Sequence, residues 1–141
     1  MSIVSRVNTV SDTREKSAKS WKKNPTFFHS VAVAFVGLFS FIRQERNARI
    51  YIGIAAVFLC IDIAVGIPTY GYIVWLVTFM GAEAAEILNT ASENICDIVD
   101  ENDNPRIKYI KDIAAANVLM WGFAFFGSQA VLICGTLFGW L

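Results

Sequence analysis

The sequence predicts an all-α integral membrane protein, with three spanning helices and an amphipathic interfacial helix ahead of them. Three observations lead there. Of the 141 residues, 55% are hydrophobic and only 17% charged, which is little charge for a small chain that would otherwise expose much of its surface to water. The apolar residues gather into runs near the length that crosses a bilayer, about 20 residues. All 12 Lys and Arg residues fall within 1–49 or 100–111, the one-sided pattern of a multi-pass protein whose basic loops stay in the cytoplasm.

Each element follows in order. Residues 1–26 form a polar tail with Arg6, Arg14, Lys16, Lys19, Lys22 and Lys23. They lack the apolar core of a signal peptide, so the tail is expected to remain attached. Residues 27–44 begin after Asn24 and Pro25 and are interrupted by His29, Ser30 and Ser40. Their apolar run is short for a span, which favours a helix lying in the interface. A polar knot follows, from Arg43 to Arg49, and then a span over 49–67 whose apolar run, Ile50 to Ile67, carries one charge, Asp62, and stops at Pro68. The next run, 70–98, is apolar through Ala82 and continues at helical spacing through Glu83, Glu86, Asn89, Glu93 and Asp97. The acidic stretch from Asp100 to Pro105 signals a loop, and 113–140 is an uncharged span. The positive-inside rule puts the tail and the second loop in the cytoplasm and the C-terminus outside.

The acids on the 70–98 helix are the chemical anomaly. A carboxylate near the bilayer centre costs about 2.5–3.5 kcal/mol on insertion scales. At 100° per residue, Glu86, Glu93 and Asp97 fall within about 40° of one another, with Asn89 about 60° to one side. Asp97 and Asp100 also suit a solvated end of the helix. For Glu86 and Glu93 that reading is weaker, because Ile87, Leu88, Ile95 and Ile98 keep the other faces apolar. Clustered carboxylates repel unless a cation joins them, and acidic oxygens suit Mg2+. Basic residues that could hold phosphates lie on the same side: Arg43, Arg46, Arg49, Lys108 and Lys111. There is no G-x-x-x-x-G-K-[ST] loop, so a nucleotide site here is not of the Walker type. The single histidine, His29, excludes histidine-based metal or triad chemistry. Cys60, Cys96 and Cys134 make neither a zinc pattern nor a disulfide framework. Asp62 is read as a structural hydrogen-bonding residue, and Trp75, Trp121 and Trp140 as packing or belt residues.

Three blocks resemble the small prokaryotic diacylglycerol kinase and undecaprenol kinase family. They are E-x-N-x-R-I at Glu45, Asn47, Arg49 and Ile50; E-x-x-N-[ST]-A-x-E-x-x-x-D at Glu86, Asn89, Thr90, Ala91, Glu93 and Asp97; and K-x-x-K-D-x-A-A at Lys108, Lys111, Asp112, Ala114 and Ala115. The likeness runs from about Phe27 to Leu141 and makes 27–141 a membrane kinase domain. It implies a kinase that uses MgATP on a lipid alcohol at the cytoplasmic face of the cell membrane, assembled as a homotrimer. By matching position, Glu86 is the expected general base and Glu45 and Glu93 the expected Mg2+ ligands. Asn89 and Asp97 would orient that shell, Lys111 and Asp112 would contact ATP, and Asn47 and Arg49 would support it. Phosphoryl transfer depends mainly on positioning and charge neutralisation, which this inventory can supply.

The expected partners are the lipid, ATP, the membrane and further copies of the chain, with no nucleic acid. Undecaprenol is favoured over diacylglycerol on the form of the first and third blocks. Departures from the family pattern are Ala116 and Asn117, Ser92, and the additional acid Glu83 one turn before Glu86. A proton- or ion-coupled carrier is the competing class, since intramembrane acids also mark transport paths. A non-catalytic membrane scaffold is a third reading.

Overall fold

The computed structural model describes residues 26–100 and 104–141. The described residues form four helices: α1 (Phe27–Gln44), α2 (Arg46–Val65), α3 (Thr69–Val99) and α4 (Pro105–Leu137). The expected cytoplasmic tail, apart from Thr26, lies outside the described residues, as do positions 101–103 of the acidic loop. The chain divides between Phe39 and Ser40 into two compact units, and every candidate site residue belongs to the second.

All four helices are long and apolar enough to cross a membrane, so α1, expected at the interface, meets the same criterion as the three expected spans. Its 18 residues reach about 27 Å at 1.5 Å per residue. None of them is buried, and Phe27, Phe28, Phe35 and Phe39 are all exposed. Exposed apolar side chains also cover the outer faces of α2, α3 and α4. A surface this apolar belongs in lipid or against another chain, and the protein is a multi-pass membrane protein.

Local chemistry sets the helix ends. Glu45, in extended conformation, is the N-cap of α2, and its N–H donates to the Phe41 carbonyl at 2.8 Å, so α1 passes into α2 across a single non-helical residue. At the far end of α2, Gly66 takes the left-handed conformation (φ 75°), which glycine adopts without a Cβ penalty. The N–H groups of Gly66 and Ile67 both donate to the Asp62 carbonyl, at 3.0 and 3.1 Å. The helix therefore ends at Val65, a little before the break expected at Pro68, because Pro68 also disfavours helical geometry at the residue before it. Pro68 then serves as the N-cap of α3. The helix containing the third expected span starts well ahead of Ile113: Asn104 accepts a bond from the Arg106 N–H at 3.0 Å, and Pro105 takes the first turn. Apolarity marks where a helix enters lipid, whereas the cap marks where it begins.

In the second unit α3 and α4 share the longest contact, and α2 packs on both. The pairs Gly71 with Leu132, Gly81 with Trp121 and Asp97 with Lys111 put α3 and α4 antiparallel. Close approach depends on Gly81, because the Trp121 ring occupies the space that a Cβ there would need. The Trp75 indole N–H donates to the Ala55 carbonyl at 3.2 Å, tying α3 to α2. Phe58 meets Phe125 and Phe126 edge-on at 5.6 and 5.8 Å between ring centroids.

One polar pair lies in this apolar interior. Asp62 of α2 and Gln129 of α4 are both fully buried. With its nitrogen facing the carboxylate, the Gln129 amide donates to both Asp62 oxygens, at 2.9 and 3.0 Å. The structural hydrogen bond expected for Asp62 is present, and Gln129, which sequence reasoning passed over, supplies it. A lone carboxylate within a span calls for a polar partner on a neighbouring helix. Gln129, in an otherwise apolar run, was the signal.

Candidate functional site

The acids of α3 divide by burial. Glu86 is 3% exposed and Glu83 9%, with the buried small residues Ala82 and Ala85 alongside them. Glu93 and Asp97, about two and three turns from Glu86 toward the end of the helix, are exposed. Ile87, Leu88, Ile95 and Ile98 point outward, so the carboxylates form one polar stripe on an otherwise apolar helix. Tyr51 of α2 stands within electrostatic reach of both Glu86 and Glu83.

Two contacts organise the stripe. The Asn89 side-chain N–H2 donates to Glu93 Oε1 at 2.9 Å, holding that carboxylate in place. Asn89 Oδ1 is buried and has no hydrogen-bond partner. Further along, Lys111 Nζ of α4 meets Asp97 Oδ1 at 2.5 Å, and the same ammonium lies within electrostatic reach of Glu93. The third sequence block is thus brought onto the second. Asp112 is exposed beside it.

The first block reaches the site differently. Glu45 is the N-cap of α2 but makes no side-chain capping bond, which leaves its carboxylate available. No hydrogen bond or ion pair joins it to the α3 acids among the described residues. Asn47 is exposed. Arg49, expected near phosphates, donates to the carbonyls of Ile42 and Arg43 at 3.1 and 2.6 Å. Those carbonyls end α1 and have no partner within the helix. Arg49 therefore braces the bend that carries Glu45.

No group of three or more His, Cys, Asp or Glu side chains is arranged to hold a metal ion among the described residues. Mg2+ usually takes one or two carboxylates, keeps waters and shares the rest of its shell with substrate phosphates, so it does not require such a group. Glu45 and Glu93 are hard oxygen donors of the right kind, and the unpartnered Asn89 Oδ1 beside Glu93 is a third oxygen suited to the same shell. Sequence reasoning missed the burial of Glu83, which differs from that of Glu93 only through packing against the neighbouring helices. It also missed the pairing of Lys111 with Asp97, which needs the antiparallel register of α3 and α4.

Comparison with known proteins adds to this geometry. Residues 32–134 match the family described as prokaryotic diacylglycerol kinase. An undecaprenol kinase of Bacillus subtilis (strain 168) is 31% identical over 98 residues, which cover 67% of this chain and 77% of that protein. No solved structure matches.

Proposed function

Because the chain belongs to the prokaryotic diacylglycerol kinase family, and is in general terms a membrane lipid kinase, we propose that it transfers the γ-phosphate of ATP to a lipid alcohol at the cytoplasmic face of the cell membrane. The observation that carries this reading is the buried carboxylate of Glu86, set one turn from Asn89 and two from Glu93 on a single face of α3. Glu86 accepts the proton of the lipid hydroxyl as its oxygen bonds to the γ-phosphorus. The bond from that phosphorus to the bridging oxygen of ATP breaks, leaving ADP and a lipid phosphate. Apolar surroundings exclude water, which would otherwise compete for the phosphoryl group.

Glu45 and Glu93 would hold Mg2+, with Asn89 fixing the Glu93 carboxylate. The ion would supply neutralisation of the phosphate charge. Lys111, kept in place by Asp97, presents a cation beside Glu93 for the nucleotide, with Asp112 next to it. Arg49 acts indirectly, through the bend that positions Glu45. Of the two lipids that the sequence motifs favour, undecaprenol ranks first and diacylglycerol close behind. A homotrimer would cover part of the apolar surface that a single chain leaves exposed.

The test is transfer of labelled phosphate from MgATP to undecaprenol, and separately to diacylglycerol, by purified protein in detergent. Labelled lipid phosphate is expected. Its absence with every lipid alcohol offered would sink the proposal. In the same assay Glu86→Gln should lower turnover by about a thousandfold or more while nucleotide binding persists, since the general base is lost but the phosphate site is kept. Activity near the native level would remove Glu86 from the role of base.

A further inference from the structure

Glu83 lies outside the three sequence blocks and has no part in the reaction as derived above. It is nevertheless nine-tenths buried, and its Oε1 atom is shielded from solvent with no hydrogen-bond partner. No salt bridge reaches it among the described residues, and Tyr51, within electrostatic reach, donates no hydrogen bond to that oxygen. A buried acceptor left unpaired is costly, and in a span it marks a functional position. Its place relative to Glu86 indicates which function. Residues three apart on a helix are neighbours, with Cβ atoms about 5–6 Å apart. Glu83 lies on the side of Glu86 away from Glu93 and Asp97, about 4.5 Å along the helix axis.

On the kinase reading, the phosphates sit at the Glu93 end and the lipid tail runs the other way. A lipid whose hydroxyl reaches Glu86 therefore passes the atoms next to that hydroxyl along Glu83. We propose that Glu83 makes this a site for a lipid alcohol bearing a second hydrogen-bond donor, such as a vicinal hydroxyl, beside the hydroxyl that is phosphorylated. An ionised or neutral carboxyl at Glu83 offers at least one acceptor oxygen to that donor. Diacylglycerol presents an ester there, which only accepts, and a polyprenol presents hydrocarbon. Neither gives an ionised Glu83 Oε1 a hydrogen-bond donor. The inference rests on the kinase reading and departs from the motif-based ranking of undecaprenol and diacylglycerol, since neither supplies that donor.

A matched pair of lipids isolates the single hydrogen concerned: a 1-O-alkylglycerol and the same lipid with its 2-hydroxyl methylated. The full-length protein in detergent is given MgATP and each lipid, and kcat/KM is compared, with undecaprenol run alongside. The free diol should be preferred by about tenfold or more, because a site built to bond a substrate hydroxyl rejects the analogue lacking it. Glu83→Met should bring that ratio to about one, and Glu83→Gln, which keeps an acceptor oxygen, should retain a preference for the diol. Equal use of the two lipids by the native protein, or a preference that survives Glu83→Met unchanged, overturns the inference and leaves the kinase reading standing. Transfer to none of the three lipids counts against the kinase reading, and the inference falls with it.

Discussion

Glu86, Glu93 and Asp97 are chemically alike and sit on one helix face, yet burial gives them different surroundings. Glu86 is closed off beside Ala82 and Ala85, which suits a base that must meet a lipid hydroxyl away from water. Glu93 is exposed and steadied by Asn89, which suits a carboxylate that meets a hydrated ion. Asp97 is 62% exposed and paired with Lys111, itself 34% exposed. Ion pairs this open to solvent contribute little to stability, so the pair is better understood as a device for placing the Lys111 cation. Lys111→Met should accordingly leave the thermal midpoint of the purified protein almost unchanged and raise KM for MgATP by about tenfold, the loss of one charge-assisted contact to phosphate. A large drop in the midpoint with KM unchanged would make the residue structural.

Between elements, the polar and small residues decide which helices meet and in what register. Asp62 and Gln129 join α2 to α4 inside an apolar layer, while Gly81 lets α4 lay the Trp121 ring against α3. Asp62→Ala leaves the Gln129 amide buried without its partner and should cost about 1–3 kcal/mol. Replacing both residues by Leu should cost less than Asp62→Ala alone, since no orphaned polar group remains. Thermal unfolding of the three proteins in one detergent checks the order, and a double variant less stable than the single one would show that the pair does more than satisfy itself. Apolar run length, the break at Pro68 and the loop from Asp100 to Pro105 made the three long helices readable from sequence. The α3 stripe was equally readable, because helical spacing alone aligns Glu86, Glu93 and Asp97 and sets Asn89 just to one side. What run length could not convey was pairing across helices. Arg49 looks like a phosphate ligand until the carbonyls of Ile42 and Arg43 are seen to occupy it, and Glu83 looks like the exposed Glu93 and Asp97 until its burial is seen.

For the whole molecule the distribution of charge bears on whether α1 crosses the membrane. Four helices pass on length and composition, yet the charges favour three crossings. Six of the 12 basic residues precede α1 and three more lie between Arg43 and Arg49, so a crossing α1 would put one of these groups outside, against the positive-inside rule. With α1 in the interface, the tail, the α1–α2 bend and the α3–α4 loop would share the cytoplasm, where ATP is found. The short α2–α3 connection, free of Lys and Arg from Gly66 to Tyr70, would lie outside together with the C-terminus. Single cysteines introduced into a variant lacking Cys60, Cys96 and Cys134 separate the two arrangements. A membrane-impermeant maleimide added to intact cells stripped of their wall should label Thr69→Cys and Leu141→Cys but not Lys108→Cys or Ser5→Cys. Labelling of Ser5→Cys alongside Thr69→Cys would mean that α1 crosses. The α3 acids would keep their side of the membrane, but the basic tail would be separated from them. Labelling of Lys108→Cys in sealed cells would be the more damaging result, because it would place Glu93, Asp97 and Lys111 outside, away from ATP.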